Sequence, residues 1–147
     1  MGLFSGMRDA QVGQGGVYFL DGVYRVEIIK CTTIQSRKKE DLFIVECKVL
    51  ESNNDQRKPG VKASWIVNLK HDAALGNIKG FIAAANGISP SLEEEKVNEE
   101  VGEEEVEFAV SKDNPLAGII VDLEAITIQT RAKTPFTLHK WEPAEEA

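Results

Sequence analysis

Two hydrophobic periods follow one another along this chain in an order that few folds accommodate. Five segments have β character: in the first three apolar residues occupy every second position, and the last two are rich in β-branched and aromatic residues. This indicates half-buried β-strands, because successive side chains of a strand point to opposite faces. These segments span residues 23–34, 42–51, 61–69, 118–130 and 136–141. One segment with helical spacing lies between the third and the fourth. The sequence therefore predicts a mainly β domain with one helix inserted after its third strand.

The helical segment has apolar residues three and four positions apart, namely Leu75, Ile78, Ile82 and Ala85. Asp72 precedes its first turn and is a good N-cap, because its carboxylate accepts hydrogen bonds from the first free backbone N–H groups. Asn86 and Gly87 follow its last turn and are typical of a C-cap. We therefore expect one amphipathic helix between these two signals.

The order of three strands, a helix and two strands is that of the oligonucleotide/oligosaccharide-binding (OB) fold. In that fold five antiparallel strands close into a Greek-key barrel, and the helix between strands three and four covers one end. At 147 residues the chain has the length of one ordinary domain. We expect residues 17–142 to form this barrel, with a short acidic helical insertion over residues 89–112. Residues 1–16 are expected to be a flexible, glycine-rich leader and residues 143–147 an acidic end.

The net charge of −7 is concentrated in that insertion. Between Glu93 and Glu107 nine glutamates accompany one lysine, so the rest of the chain sums to +1. Ser91 and Glu94 predict a capping box at the start of an acidic helix that breaks near Gly102. One hypothesis is that this segment lies over the protein's own basic groove and competes with a polyanion, and another is that it recruits a basic partner such as a polymerase or nuclease. Net charge therefore does not exclude a nucleic-acid ligand.

Basic residues are predicted at the places where an OB barrel binds nucleic acid. The groove of such barrels runs over strands two and three, between the loop joining strands one and two and the loop joining strands four and five. The first of these loops carries Arg37, Lys38 and Lys39, and the second carries Arg131 and Lys133. Further candidates for phosphate contacts on or beside strands two and three are Lys48, Lys62 and Lys70. Solvated surface loops often carry such residues, but their coincidence in both loops favours a binding role.

Exposed aromatic rings are the second requirement, because each base stacked on a ring contributes about 1–3 kcal/mol whatever its identity. Phe136 begins strand five beside the second basic loop, and Trp65 lies in the middle of strand three. Trp65 shares its face with apolar residues, which favours a core position. The other face of strand three is polar and cationic, as the floor of a groove would be, so a groove position fits Trp65 equally well. Phe43 alternates with apolar residues of strand two and is assigned to the core.

Catalytic and metal-binding patterns are not evident. His71 and His139 are the only histidines, and no nucleophile–base, phosphate-loop or dinucleotide motif accompanies them. Cys31 and Cys47 lack the spacing of metal ligands and are interpreted as reduced, buried thiols. We therefore predict no enzyme activity, no cofactor and no metal. The absence of a long apolar run and of a signal-like leader predicts a cytoplasmic protein without a membrane partner.

Several stretches together resemble the small single-stranded-DNA-binding proteins of tailed bacteriophages. They are residues 22–26 (Gly-Val-Tyr-Arg-Val), 43–46 (Phe-Ile-Val-Glu), Gly60 ahead of Trp65, residues 78–87, and residues 114–118 (Asn-Pro-Leu-Ala-Gly). The resemblance covers about residues 17 to 142. It implies an OB barrel that protects single strands without sequence preference during phage replication or recombination, in the cytoplasm of the host cell. It also implies a groove on the face of strands two and three.

One departure from that family concerns partner proteins. Its members often end in a longer acidic tail with an aromatic residue that recruits partners, whereas here Trp141 precedes only six residues. Recruitment of phage or host replication and recombination proteins would then pass to the segment Glu93 to Glu107. The alternative function is a structural or protein-interaction module of a virus, because OB barrels have many functions. The sequence leaves the oligomeric state, including a homo-oligomer, open.

Overall fold

The computed structural model describes residues 17–71, 73–129 and 135–144, which form a mainly β domain with three helices. The strands are β1 (Val17–Tyr18), β2 (Gly22–Gln35), β3 (Asp41–Ser52), β4 (Lys62–Asn68), β5 (Ile120–Gln129) and β6 (Pro135–Pro143). The helices are α1 (Ala74–Ala85), α2 (Glu94–Glu100) and α3 (Glu103–Ala109). The mainly β class and the helix after the third predicted strand are confirmed. No helix in the described ranges has the length and apolar character needed to cross a bilayer.

The six strands form one curled sheet in the order β1-β4-β3-β2-β5-β6. Strands β2 to β6 are the five predicted strands, and each neighbouring pair among them is antiparallel. The sheet departs from the predicted five-stranded antiparallel barrel in two respects. The short β1 adds a sixth strand, parallel to β4, and β4 and β6 are not hydrogen-bonded neighbours in the described part of the chain. The sheet is therefore a half-barrel whose two sides approach without pairing.

The curl of the sheet originates in β2, which is long and irregular. Its register with β3 shifts between Arg25 and Val26 and again between Ile28 and Lys30, and such bulges increase the twist of a strand. Asn114 lies beside the second shift. Its Oδ1 accepts a hydrogen bond from the backbone N–H of Cys31 at 2.8 Å, and its Nδ2 donates to the carbonyl of Cys31 at 2.8 Å. The side chain of Asn114 thereby makes the hydrogen bonds that a neighbouring strand would make, at a position of β2 that does not pair with β5.

The core holds the two sides of the half-barrel together with aromatic rings. Trp65 of β4 and Trp141 of β6 lie 5.2 Å apart between ring centroids, although their strands do not pair. Phe81 of α1 packs on Trp141 at 4.8 Å and on Trp65 at 5.7 Å. The helix therefore covers the end of the curled sheet and bridges its open side. Cys31 and Cys47 are free and buried, as predicted.

The ends of α1 match the sequence signals in part. Asn86 occupies the C-cap position, and its Nδ2 donates to the carbonyl of Ile82 at 2.8 Å. At the other end Ala73 occupies the N-cap position and makes no side-chain cap hydrogen bond. The predicted N-cap, Asp72, lies outside the described residues.

The acidic insertion forms α2 and α3, with the expected break at Gly102. Val97 and Val101 are buried where the insertion packs on α1, and the glutamates of both helices are exposed. The capping box predicted at Ser91 is wrong. The hydroxyls of Ser89 and Ser91 instead donate to the carboxylate of Glu142, and α2 begins three residues after Ser91, at Glu94. A longer-range partner on β6 thus displaces the local cap.

Candidate nucleic-acid interface

The outer face of β3 and β4 carries an exposed pair of lysines. Lys48 and Lys62 are directly opposite each other in the antiparallel register, and both are exposed. Like charges in such positions repel and lower the stability of the sheet. Glu27 of β2 is the register partner of Lys48 on its other side, so this row carries a net charge of +1. An anion placed over the row would relieve the repulsion, which makes it a natural phosphate contact.

Excess positive charge extends beyond this row. Residues 22–70 contain ten basic and six acidic residues, a net charge of +4, while the segment from Glu93 to Glu107 carries −8. The acidic helices pack on α1, and no packing of them on β3 or β4 is found in the part of the chain that the structure describes. The hypothesis that they cover the basic face therefore has no contact to support it.

The loop between β2 and β3 is a tight, ordered turn. Lys39 has a positive φ of 61°, and its N–H donates to the carbonyl of Ser36 at 2.8 Å. Arg37, Lys38 and Lys39 are all exposed. The turn thus presents three cations at the end of β2.

Glu40 joins this loop to the end of β4. Its carboxylate accepts a hydrogen bond from Nδ2 of Asn68 at 2.5 Å and lies 2.6 Å from Nζ of Lys70. Its pKa is lowered, first by the hydrogen bond from Lys70 and then by that from Asn68. Lys70, predicted as a phosphate contact, therefore has a carboxylate partner, and only Lys48 and Lys62 of the three predicted strand lysines lie together on the face.

The second predicted basic loop, with Arg131 and Lys133, lies outside the described residues. The residue that follows it in β6, Phe136, is described and is 45% exposed. Phe136 lines a cleft together with Asn68, the residue that Glu40 binds. The ring predicted for base stacking and the base of the first cationic loop are therefore close to the same end of β4.

Of the two positions expected for Trp65, in the core or exposed in a groove, the structure shows the core. It is 5% exposed and makes ring contacts with Phe43, Phe81 and Trp141. The cause is the pleat of β4, because Trp65 alternates with Lys62 and Ser64 and so points to the inner face with Ala63. Trp65 also lines the cleft near Phe136. Phe43, assigned to the core, is 1% exposed, which confirms that assignment.

Tyr18 is an exposed ring that the sequence interpretation missed. It is 66% exposed, and it pairs with Ser64, two residues from Lys62 in β4. Arg57 donates from Nε to the carbonyl of Tyr18 at 2.7 Å, which adds a further cation beside the ring. A strand of two residues has no periodicity, so no hydrophobic pattern could have found it. Its aromatic ring in a glycine-flanked stretch was the one available signal.

The cleft beside Phe136 separates the end of β4 from the start of β6 at the first turn of α1. It has a volume of about 230 Å³ and mainly apolar walls. His139, on its wall, has a pKa lowered to about 4, chiefly by burial, with a backbone hydrogen bond at Thr137 acting in the opposite direction. The imidazole is therefore neutral at pH 7.

Comparison with known proteins gives no match, either to a protein-family model or to a curated protein. The site must then be interpreted from its own chemistry. In the described ranges no group of three His, Cys, Asp or Glu side chains is placed to hold a metal ion. The arrangement combines exposed cations with exposed rings, and these are groups that bind and stack.

Proposed function

We propose that this protein binds single-stranded DNA along the outer face of β3 and β4, without sequence preference and without catalysing a reaction. The observation that carries the proposal is the opposed pair of Lys48 and Lys62, with an exposed aromatic ring toward each end of β4. Tyr18 is in register with Ser64, and Phe136 shares a cleft with Asn68. These two positions of β4 are four residues apart, or roughly 13 Å along a strand. The lysine row lies two residues before Ser64 on β4, so the order along the strand is the lysine row, then Tyr18, then Phe136, and the phosphate contacts adjoin the two stacking surfaces at one end.

Single strands suit this surface better than a duplex. Stacking on a protein ring requires a base whose faces are free, and in a duplex those faces are occupied by neighbouring bases. The opposed lysines bind phosphate without regard to the base, because the phosphate oxygens carry no sequence information. The resemblance noted in the sequence adds a setting, the single strands exposed during phage replication or recombination. The strand order and the position of α1 are likewise those of an OB barrel, which we propose as the fold.

The test is the salt dependence of binding to a fluorescently labelled oligo-dT, followed by anisotropy between about 50 and 200 mM salt. Anisotropy is preferable to tryptophan fluorescence because Trp65 and Trp141 are both buried. Each lost phosphate contact to a single strand lowers the slope of log K against log salt concentration by about 0.7, so Lys48→Ala with Lys62→Ala should lower it by about 1.4. A duplex of the same length should bind more weakly.

The matched control is Lys96→Ala with Lys112→Ala, which makes the same change of net charge at two exposed positions away from the lysine face. It should leave the slope unchanged. Equal losses in the two double variants would show that binding follows total charge alone and would refute the proposed face. No binding of the unaltered protein to any nucleic acid would refute the function itself.

The alternative, a protein-interaction module, rests on two apolar side chains of the acidic segment. Leu92 is 84% exposed and Phe108 is 56% exposed, and both lie among exposed glutamates. Such a surface fits a basic protein partner with apolar contacts. Loss of all nucleic-acid binding with retained folding would favour this alternative.

A further inference from the structure

The cleft between β4 and β6 has open backbone edges on two sides. The N–H of Leu69 donates to the carbonyl of Asp41 on β3 at 2.9 Å. Because hydrogen-bonding direction alternates along a strand, the backbone groups of Ile66 and Asn68 point away from β3. The carbonyl of Asn68 accepts a hydrogen bond from the N–H of His71 at 3.2 Å, which leaves the N–H of Asn68 and both backbone groups of Ile66 toward the cleft. In the described part of the chain, β1 pairs with β4 only at Ala63 and Ser64, and β6 is the last strand of its side of the sheet. The two edges therefore face the cleft with backbone donors and acceptors.

Aromatic side chains form much of the remaining wall. Phe136 is 45% exposed, and Trp65 and His139 line the same space, with their ring centroids 5.8 Å apart. His139 is neutral near pH 7, so it offers a flat ring without a charge. Flat faces with backbone hydrogen-bonding groups at their border are the features that proteins use to bind an unstacked base.

The size of the cleft narrows the class of ligand. Its volume of about 230 Å³ exceeds the share of one water molecule, about 30 Å³, and lies below the roughly 300–1,000 Å³ of sites for drug-sized ligands. One flat heterocycle fits between these limits. Asn77 and His71, both exposed, lie at the mouth of the cleft and add polar groups to its rim.

We infer that this cleft is a pocket for a single nucleobase, into which one base of the bound strand inserts between β4 and β6. This inference rests on the proposed function and adds to it a site at which the base itself, and not only the phosphate, contributes to affinity. The cationic turn of residues 36–40 adjoins the same end of β4 through the contact of Glu40 with Asn68. A strand that continues along β4 from the lysine row, past Glu46 in register with Ser64, therefore reaches the cleft at Asn68.

The test fills the cleft from its mouth. Ala73 is exposed and lines the cleft, so Ala73→Trp places a large side chain there without altering the core. Ala73→Ser is the control at the same position. Binding is measured by anisotropy to oligo-dT and to a strand of equal length that carries phosphates and sugars but no bases. Thermal unfolding of each variant establishes that it is folded.

Loss of one bound base should weaken the binding of oligo-dT by Ala73→Trp roughly 5- to 150-fold, while binding of the abasic strand changes less than about twofold. Phe136→Ala should act in the same direction, and Phe108→Ala, a change of a somewhat more exposed phenylalanine on α3, should have no effect on either strand.

Three results would overturn this inference, and they differ from failure of the function. If Ala73→Trp and Phe136→Ala bind oligo-dT as tightly as the unaltered protein, the pocket is refuted and the proposed binding to the lysine face is unaffected. Equal weakening for both strands shows that the tryptophan blocks the backbone and again refutes a base pocket. Failure of the unaltered protein to bind oligo-dT refutes the function, and the pocket with it.

Discussion

Acid should destabilise this protein through His139. Burial lowers the pKa of His139 to about 4 in the folded protein, whereas the pKa of histidine in an unfolded chain is about 6.5. Between these values the unfolded state binds a proton that the folded state does not, so stability rises with pH. The contribution is fully present above about pH 6.5 and is lost as the pH falls toward 4. The shift of about 2.5 units corresponds to about 3.4 kcal/mol in all, of which about 2 kcal/mol is lost by pH 5.

Urea unfolding at pH 8 and pH 5 measures this loss, with tryptophan fluorescence as the signal because Trp65 and Trp141 are buried and the ring of Trp65 lies 5.8 Å from that of His139. Glu40, whose pKa is lowered, and other carboxyl groups add their own pH dependence. The comparison with His139→Gln removes them, since the variant keeps every carboxyl group. The variant should lose about 2 kcal/mol less than the unaltered protein between the two pH values, and the exposed control His71→Gln should behave like the unaltered protein. Equal losses in all three proteins would refute a buried, neutral His139.

Three further perturbations test the interface and the fold. Tyr18→Ala should weaken oligo-dT binding about 5- to 150-fold, and Tyr18→Phe should retain it, because stacking needs the ring alone; anisotropy titrations of both variants decide. Asn114→Ala should lower the free energy of unfolding by about 2–4 kcal/mol, because two hydrogen bonds to Cys31 are lost and a residue with a φ of 43° acquires strain. Asn114→Gly, which loses only the bonds, should cost less in the same urea titration. Replacing the four glutamates of α2 by glutamine should tighten DNA binding about 2- to 5-fold at low salt and leave it unchanged at high salt, because distant charges are screened; a gain that persists at high salt would place α2 in contact with the DNA.

The order of strands along the chain could be predicted because β2, β3, β4 and β5 each have a buried face of their own. Tyr24, Val26 and Ile28 in β2 and Val121, Leu123 and Ala125 in β5 alternate as buried residues, so the hydrophobic period reports the strand. Which strands pair with one another was harder to predict from the sequence. Val17 and Tyr18 form a strand only because β4 offers an edge, and a local pattern carries no information on a distant edge. Closure into a barrel depends on the same kind of long-range contact.

The candidate site shows the same division. Lys48 and Lys62 were predictable because a charged residue in an alternating strand must lie on the solvent face. The side of β4 that holds Trp65 was also in the sequence, in its alternation with Lys62, but the apolar size of the ring fitted a groove as well as a core. Tyr18 and the cleft at Phe136 depend on elements remote in sequence. Sequence reasoning therefore finds charges on regular strands more readily than surfaces formed between strands.

Hydrogen exchange at β4 distinguishes the open half-barrel from a closed one. The N–H groups of Trp65 and Val67 point toward β3, where the register pairs them with Val45 and Phe43, while that of Ile66 points into the cleft. In the open sheet the amide of Ile66 should exchange much faster than those of its two neighbours, although all three lie within one strand. Pairing of β4 with β6 would protect all three alike, because the edge would then be bonded on both sides. Residue-resolved exchange followed by NMR separates these outcomes. Uniform protection would show that β4 and β6 pair in solution, so that the cleft, and the site proposed for a base, would not exist there.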